Sequence, residues 1–370
     1  HKLEKLKPMP LGRLADEPLV SVLMPNYNYG RYIGEAIESV LRQTYQQWEL
    51  IICDDGSTDN SCEVVKRYQD KDSRIKLIQK ENGGMASALN IAYRESRGSI
   101  ICLLDADDVF LPTKFETVVE AFNSPPLPGF VTHRMQIVYG IDKKPGVVIP
   151  IFTPLEHGYL ASKVYKRGGR WRYMPASAIC LRREVANLLF PLDEGLFRSV
   201  ADGYIFTLAA VVTTVKSVDK VLSLYRLHGA NFTGGADLSP DSIRMTIRNI
   251  EQIIRGVNNR LQRIGLPLLE IDKNLNYVEQ KTFLSVVEPS SGLLEGLRML
   301  IKLSAATLKD DLYTPLQKVC GIFAYWSAVL LPKRLRARYI KTFVGPSRLK
   351  ALMRRIWDFL GEVEDAHSHF

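Results

Sequence analysis

Four short runs of branched apolar residues constrain this chain more than any other feature. They read LVSVLMP (19–25), WELIICD (48–54), RIKLIQK (74–80) and SIICLLD (99–105), spaced about 25–30 residues apart. Continuous Val, Ile and Leu without polar alternation marks strands buried on both faces, as in parallel sheets. Helix-like stretches fill the gaps: 30–43, with Ile33, Ile37, Val40 and Leu41 on one face, then 59–70 and 84–96. Strand–helix–strand at this interval predicts an α/β fold with a doubly wound, mostly parallel sheet. Such sheets bind ligands beyond the carboxyl ends of their strands.

Those ends are unusual here. The first runs into PNYNYG, the second into DDGSTDNS, the third into ENGG and the fourth into DADD. Ending a buried strand on Asp105, Asp107 and Asp108 brings together charges that repel. A divalent cation held by hard oxygen ligands would offset them. Asp108 has a second reading, as cap of a helix over 112–122.

Residues 113–235 read as mixed, with strands at 129–139 and 176–182 and a Gly- and Pro-containing loop at 140–170 placed to cover a site. From 236 the pattern turns helical, with a boundary near GGADLSP (234–240). Net charge is +9, and nine Lys or Arg with no Asp or Glu lie between Leu331 and Trp357, so an anionic partner is expected. Leu349, Leu352, Met353 and Ile356 recur at helical spacing there, a basic amphipathic pattern suited to an anionic membrane surface. Its plainer reading is a surface helix packed on its own domain. No nucleic-acid motif accompanies it. The longest apolar run, 319–332, is shorter than the roughly 18–20 residues a bilayer span needs. Five scattered cysteines without Cys-x-x-Cys spacing point to a reducing, cytoplasmic setting. The chain opens on His1 with no signal-peptide pattern, which reads as a trimmed start.

The run from VSVLMPNYNYG through DDGSTDNS, followed by KENGGMASALN and ICLLDADD, resembles family 2 glycosyltransferases of the inverting, non-processive type. SVADGYIF and SLYRLHGANFT add weaker matches. The resemblance implies a GT-A fold over 18–235, after an N-terminal extension at 1–17 and before a helical region at 236–370. That region has no match of its own and reads as acceptor- or membrane-associated. The implied activity is transfer of one sugar from a nucleotide-sugar, UDP-sugars favoured, to a glycan or lipid-linked acceptor.

By motif, the resemblance assigns Pro25, Tyr27 and Asp55 to the base and ribose, and Gly83 and Gly84 to close backbone approach. Asp105 would face ribose or metal-bound water. Asp107 and His228 would hold Mn²⁺ or Mg²⁺ against the diphosphate. Asp202, second residue of the family's acidic pair, would be the general base, with Ala201 replacing the first acid. Arg226 is a further phosphate candidate. Leu89 stands where many relatives carry Arg.

RGGRW (167–171) mimics a processive-synthase signature, but it precedes Asp202 and is expected to be coincidental. A membrane-surface contact is expected of 319–357, and no nucleic-acid partner. The competing readings are a sugar nucleotidyltransferase, which should carry a Gly-rich basic loop after the first strand, and a degenerate GT-A binding module.

Overall fold

The computed structural model describes residues 6–150, 154–228, 239–287, 293–313 and 315–330. The basic segment 333–357 and residues 229–233 of the last motif lie outside them.

The alternating texture becomes a parallel half-sheet. Strands β1 (Val20–Asn26), β2 (Trp48–Asp54), β3 (Ile75–Gln79) and β4 (Ile100–Leu103) stand in the order β3-β2-β1-β4. Helices α1 (Ile33–Leu41), α2 (Ser61–Gln69) and α3 (Met85–Glu95) cross between them. Every residue of β2 and β4 is buried, whereas β3, at the edge, alternates. That difference explains why β2 reads as an unbroken apolar run.

Past β4 the sheet turns mixed. β9 (Cys180–Arg182) is antiparallel to both β4 and β6 (Phe130–Tyr139). The long β10 (Thr214–Leu227) runs parallel to β6, and β5 (Val109–Phe110) closes the edge. The 140–170 stretch is not one loop. It forms β7 (Lys144–Ile149) on β6, β8 (Gly158–Tyr159) on β10, and α5 (Ala161–Lys166). β7 is largely exposed, so it lacks the apolar signal that identifies the inner strands. The strand expected at 176–182 is a 3₁₀ turn, Ala176–Ala178, leading into β9. Helices α4 (Lys114–Asn123), α6 (Arg183–Leu189) and α7 (Ala201–Val212) complete this half. Eleven of the twelve α7 residues are buried, which accounts for apolar residues on all its sides.

The helical region comprises α8 (Pro240–Arg263), α9 (Leu275–Val287), α10 (Leu293–Lys309) and α11 (Pro315–Leu330). α8 starts conventionally, with Pro240 in its first turn and the Ser239 hydroxyl accepting from the Ser242 amide at 3.3 Å. Ile254, Val257 and Leu261 at its C-terminal end join the core around α7. Ile243 and Ile247 instead pack with Tyr277, Phe283 and Leu300. One helix thus belongs to both cores. Among the described residues no helix is long and apolar enough to cross a membrane.

RGGRW is where the two parts lock. Gly168 has φ +58°, and a Cβ there would lie 2.5 Å from the Asn274 amide, so only glycine fits. Arg167 pairs with Glu156 at 2.8 Å and with Asp311, while the buried Arg170 pairs with the buried Asp310. Arg172 donates to the Leu312 carbonyl at 2.8 Å, and Trp171 enters the core. The motif is structural here.

An Arg170→Met variant leaves Asp310 buried and uncompensated, which should cost about 3–5 kcal/mol. Urea denaturation should show that loss, and Arg170→Met/Asp310→Leu should recover most of it. Equal instability of single and double variants would refute the pairing.

Candidate active site

The loops after β1 and β2 are stitched to each other. Asn26 Nδ2 donates to Asp54 Oδ2 at 2.7 Å, and the Ser57 hydroxyl donates to the same oxygen at 2.6 Å. Asn28, with φ +60°, accepts from the Thr58 amide at 2.8 Å, and the Gly30 amide donates to Asp59 at 2.8 Å. Asn tolerates this left-handed backbone better than other side chains. The stitched loops present Pro25, half-buried, and Tyr27, 47% exposed. Tyr27 is therefore no core aromatic.

Asp55 is buried and its oxygens organise the third strand end. Oδ1 accepts from the Gly83 amide at 2.9 Å and from Lys80 Nζ at 2.7 Å; Oδ2 accepts from the Gly84 amide at 2.7 Å. Gly84 has φ +92° and opens α3, and a Cβ there would meet Arg198 Cα at 2.9 Å. The close approach visible at Gly84 is toward that backbone. The Met85 amide donates to the Arg198 carbonyl at 2.8 Å, and Arg198 Nη2 donates to Asn82 at 2.9 Å. Arg198 stands four residues before Asp202, so this loop and the start of α7 are one unit. Leu89, on α3, is buried in the core.

At the fourth end the chain turns tightly, the Asp108 amide donating to the Asp105 carbonyl at 3.0 Å. The Asp105 amide donates to the Ser177 hydroxyl at 3.0 Å, which ties the turn to the 3₁₀ segment. Asp107 Oδ2 and His228 Nε2 are 2.9 Å apart. The His228 ring stacks on Tyr32 at 4.5 Å and meets the edge of Tyr29 at 5.9 Å. Asp108 caps no helix: Thr113 precedes α4, because β5 intervenes. Its Oδ1 accepts from the Arg226 amide at 2.9 Å, and among the described residues its buried Oδ2 has no hydrogen-bond partner.

Arg226 is 1% exposed. Its guanidinium donates to the Asp107 carbonyl at 2.8 Å, to the Gly140 carbonyl at 2.8 Å and to the Glu35 carboxylate. These bonds make it the frame of the acid turn.

Burial dominates the electrostatics. Asp105 is held well above the usual carboxylate range by burial, then by the charges of Asp108, Asp107 and Asp202. Burial and Asp107 push Asp108 up to about 8. Burial also raises Asp107, against the opposing His228 contact. Asp202, in the first turn of α7, is raised by burial and partly restored by the Gly203 amide. Since Asp202 acts on Asp105, acids from two separate segments share one field.

This environment fits a cation. Asp107 and His228 supply a carboxylate oxygen and an imidazole nitrogen side by side, and Asp108 adds an unsatisfied buried oxygen nearby in the chain. Among the described residues no group of three or more His, Cys, Asp or Glu is arranged to hold a metal ion by itself. A metal here would share its coordination with ligand oxygens and water, the habit of Mg²⁺-type sites.

The structure adds residues that the sequence does not single out. Tyr29 and Tyr32 flank His228; their three-residue spacing at the start of α1 was the available signal. Lys80 and Glu35 had none beyond being charged near strand ends. Lys114 is wholly buried, donating to the Ser177 carbonyl at 2.6 Å beneath the acid turn. Ala201 is fully buried, so a carboxylate in its place would be desolvated.

A sequence model described as Glycosyl transferase family 2 matches residues 21–187. An uncharacterised glycosyltransferase of Nostoc sp. is 35% identical over 267 residues, which is 71% of this chain and 82% of that protein. An Escherichia coli UDP-Glc:alpha-D-GlcNAc-diphosphoundecaprenol beta-1,3-glucosyltransferase is 45% identical over 102 residues, 27% of this chain and 40% of that one. Two further relatives are covered less, 34% of GlyG of Streptococcus pneumoniae and 12% of a Pasteurella multocida hyaluronan synthase. S. aureus TarS 1–349 superposes with a TM-score of 0.52 at 17% identity, over 88% of this chain and 89% of that one. That likeness establishes the GT-A fold.

Asp55→Asn turns an amide N–H or a single carbonyl toward two backbone donors and Lys80. We expect a stability loss of about 1–3 kcal/mol in urea denaturation of the protein without nucleotide. An unchanged midpoint would mean that the Gly83 and Gly84 contacts carry no weight.

Proposed function

The chain belongs to glycosyltransferase family 2, and we propose that it transfers one sugar, with inversion, from a UDP-sugar to a hydroxyl of a glycan or lipid-linked acceptor. The observation that carries this reading is the pairing of Asp107 with His228 beside Asp105 and Asp108 after β4, within the field of Asp202 at the start of α7. A UDP donor and a lipid-diphosphate-linked acceptor are both printed in the name of the E. coli relative, whose match includes 27% of this chain. A lipid-linked acceptor would bring the chain to a membrane surface, for which the basic residues of 333–357 are suited.

Asp55 and the exposed Tyr27 ring offer the nucleobase an acceptor and a wall. Pro25 lies on β1 paired with Cys53 of β2, and the Gly83 and Gly84 amides bond Asp55. Asp105 faces the ribose side. Asp107 and His228 would hold Mn²⁺ or Mg²⁺, which supplies positive charge to the departing diphosphate. Asp202 takes the proton of the acceptor hydroxyl as its oxygen attacks the anomeric carbon. The new C–O bond forms on the face opposite the breaking bond to the diphosphate. The electron pair leaves with UDP, and the proton stays on the Asp202 carboxyl. Against a degenerate binding module stands the retention of Asp55, Asp105, Asp107 and Asp202 together. A nucleotidyltransferase needs a basic Gly-rich loop, whereas the loop after β1 is tied down by Asn28 and Asp59.

Calorimetric titration of UDP and GDP, with and without Mn²⁺, tests the donor site. We expect Mn²⁺-dependent UDP binding that Asp107→Ala abolishes. A preference for GDP would replace the donor, and no binding of either to folded protein would overturn the reading.

The base leaves a separate signature. A general base must be ionised, so the rate falls as pH drops through its pKa. Burial raises that pKa for Asp202, so the acid limb of kcat/KM should lie above the ordinary aspartate value of about 4. Asp202→Asn should lower kcat by roughly 10²–10⁴-fold with UDP affinity kept. An acid limb unmoved by the substitution would assign the base elsewhere.

A further inference from the structure

Tyr173 is a large aromatic that the donor site does not use. It follows RGGRW and is 49% exposed, although its inner face stacks on Phe206 at 4.6 Å with the rings inclined 24°. Phe206 is fully buried, braced edge-on by Phe130 at 6.2 Å and Trp171 at 6.3 Å. The platform is therefore rigid from behind and open in front.

Its place on α7 gives it meaning. Asp202 and Phe206 are four residues apart and so neighbours on one helix face. Side chains on a helix lean toward its N-terminus, which carries the Phe206 ring back over the turn that holds Asp202. Tyr173, stacked on that ring, lies on the flank of Asp202. The electrostatics place Asp202 close enough to act on it: after burial, the charge of Asp202 pushes the Tyr173 phenol up to about 12.

We propose that the open face of Tyr173 is the acceptor platform, stacking against the apolar face of the pyranose whose hydroxyl Asp202 deprotonates. The inference rests on the reading of Asp202 as base. It adds an acceptor class that differs from the α-linked sugar named for the E. coli relative: a β-pyranoside, whose axial C–H bonds at carbons 1, 3 and 5 make one flat apolar face. An aromatic surface satisfies that face, while the equatorial hydroxyls stay free at the rim, one of them toward the carboxylate. A solitary exposed tyrosine is ordinary; one rigidly backed and set beside the base is a site.

Saturation-transfer NMR with methyl β-D-glucopyranoside and methyl 2-acetamido-2-deoxy-β-D-glucopyranoside, on full-length protein carrying UDP and Mn²⁺, tests it. We expect the strongest transfer at H1, H3 and H5 of at least one glycoside, kept in Tyr173→Phe. Tyr173→Leu still covers Phe206 but cannot stack, and should weaken the affinity roughly 2- to 10-fold. Tyr173→Ala should do the same where it folds. UDP isotherms and melting temperatures of the Leu and Phe variants should match the parent. Uniform transfer over the ring, no transfer from either glycoside, or full retention in Tyr173→Leu would overturn the proposal while UDP still binds. Loss of UDP binding in the parent protein would instead sink the donor reading.

Discussion

The acid turn depends on one guanidinium that water scarcely reaches. Arg226 bridges the Asp107 carbonyl, the Gly140 carbonyl and the Glu35 carboxylate, and its own amide holds Asp108. A unit charge pair at 4 Å in a partly polar interior interacts by about 4 kcal/mol, so one buried cation can hold one carboxylate in place. It cannot neutralise three, because Glu35 shares it. Asp105, Asp107 and Asp108 all remain above the ordinary carboxylate range. Among the described residues the turn is thus assembled with its acids still held above their ordinary range. In the proposed reading a dication with a diphosphate would offset that charge, whereas a further lysine would neutralise the turn permanently.

Position decides the role of a motif more than its letters. RGGRW has the spelling of a processive-synthase signature, yet its arginines face Glu156, Asp310 and Asp311, and its first glycine admits the backbone of Asn274. The same residues that join the helical region to the sheet also deliver Trp171 and Tyr173 to Phe206. Docking of the helices and shaping of the surface beside Asp202 are therefore one packing problem. This gives the C-terminal helices a physical connection to the chemistry proposed for the sheet.

The parallel half-sheet was legible because burial on both faces imposes a composition that a sequence displays. β2 begins and ends at the residues its apolar run suggests. β7 was not legible: an exposed strand paired on one side needs no apolar alternation, so 144–149 reads as loop. The acids were visible as a cluster, since three carboxylates after a buried strand are costly without a purpose. Their frame was invisible. Arg226 reads only as a phosphate candidate until β10 is threaded between β6 and β5, and nothing in the sequence singles out Lys114 until α4 is set over the 3₁₀ turn. Long-range pairing, not local pattern, decides which charges are buried.

The clamp between the third strand end and α7 carries the last step. Asp55 fixes Gly83 and Gly84, Gly84 admits the Arg198 backbone, and the Met85 amide bonds the Arg198 carbonyl, four residues before Asp202. Few torsions are left free between the group proposed to read the nucleobase and the group proposed to remove the proton. In-line displacement is sensitive to the line joining nucleophile and leaving group, and misplacement by about 1 Å can cost on the order of 10²-fold. A side chain at 84 would push these two segments apart. The glycine there, with its left-handed φ, thus sets the distance between the two segments as well as the backbone conformation.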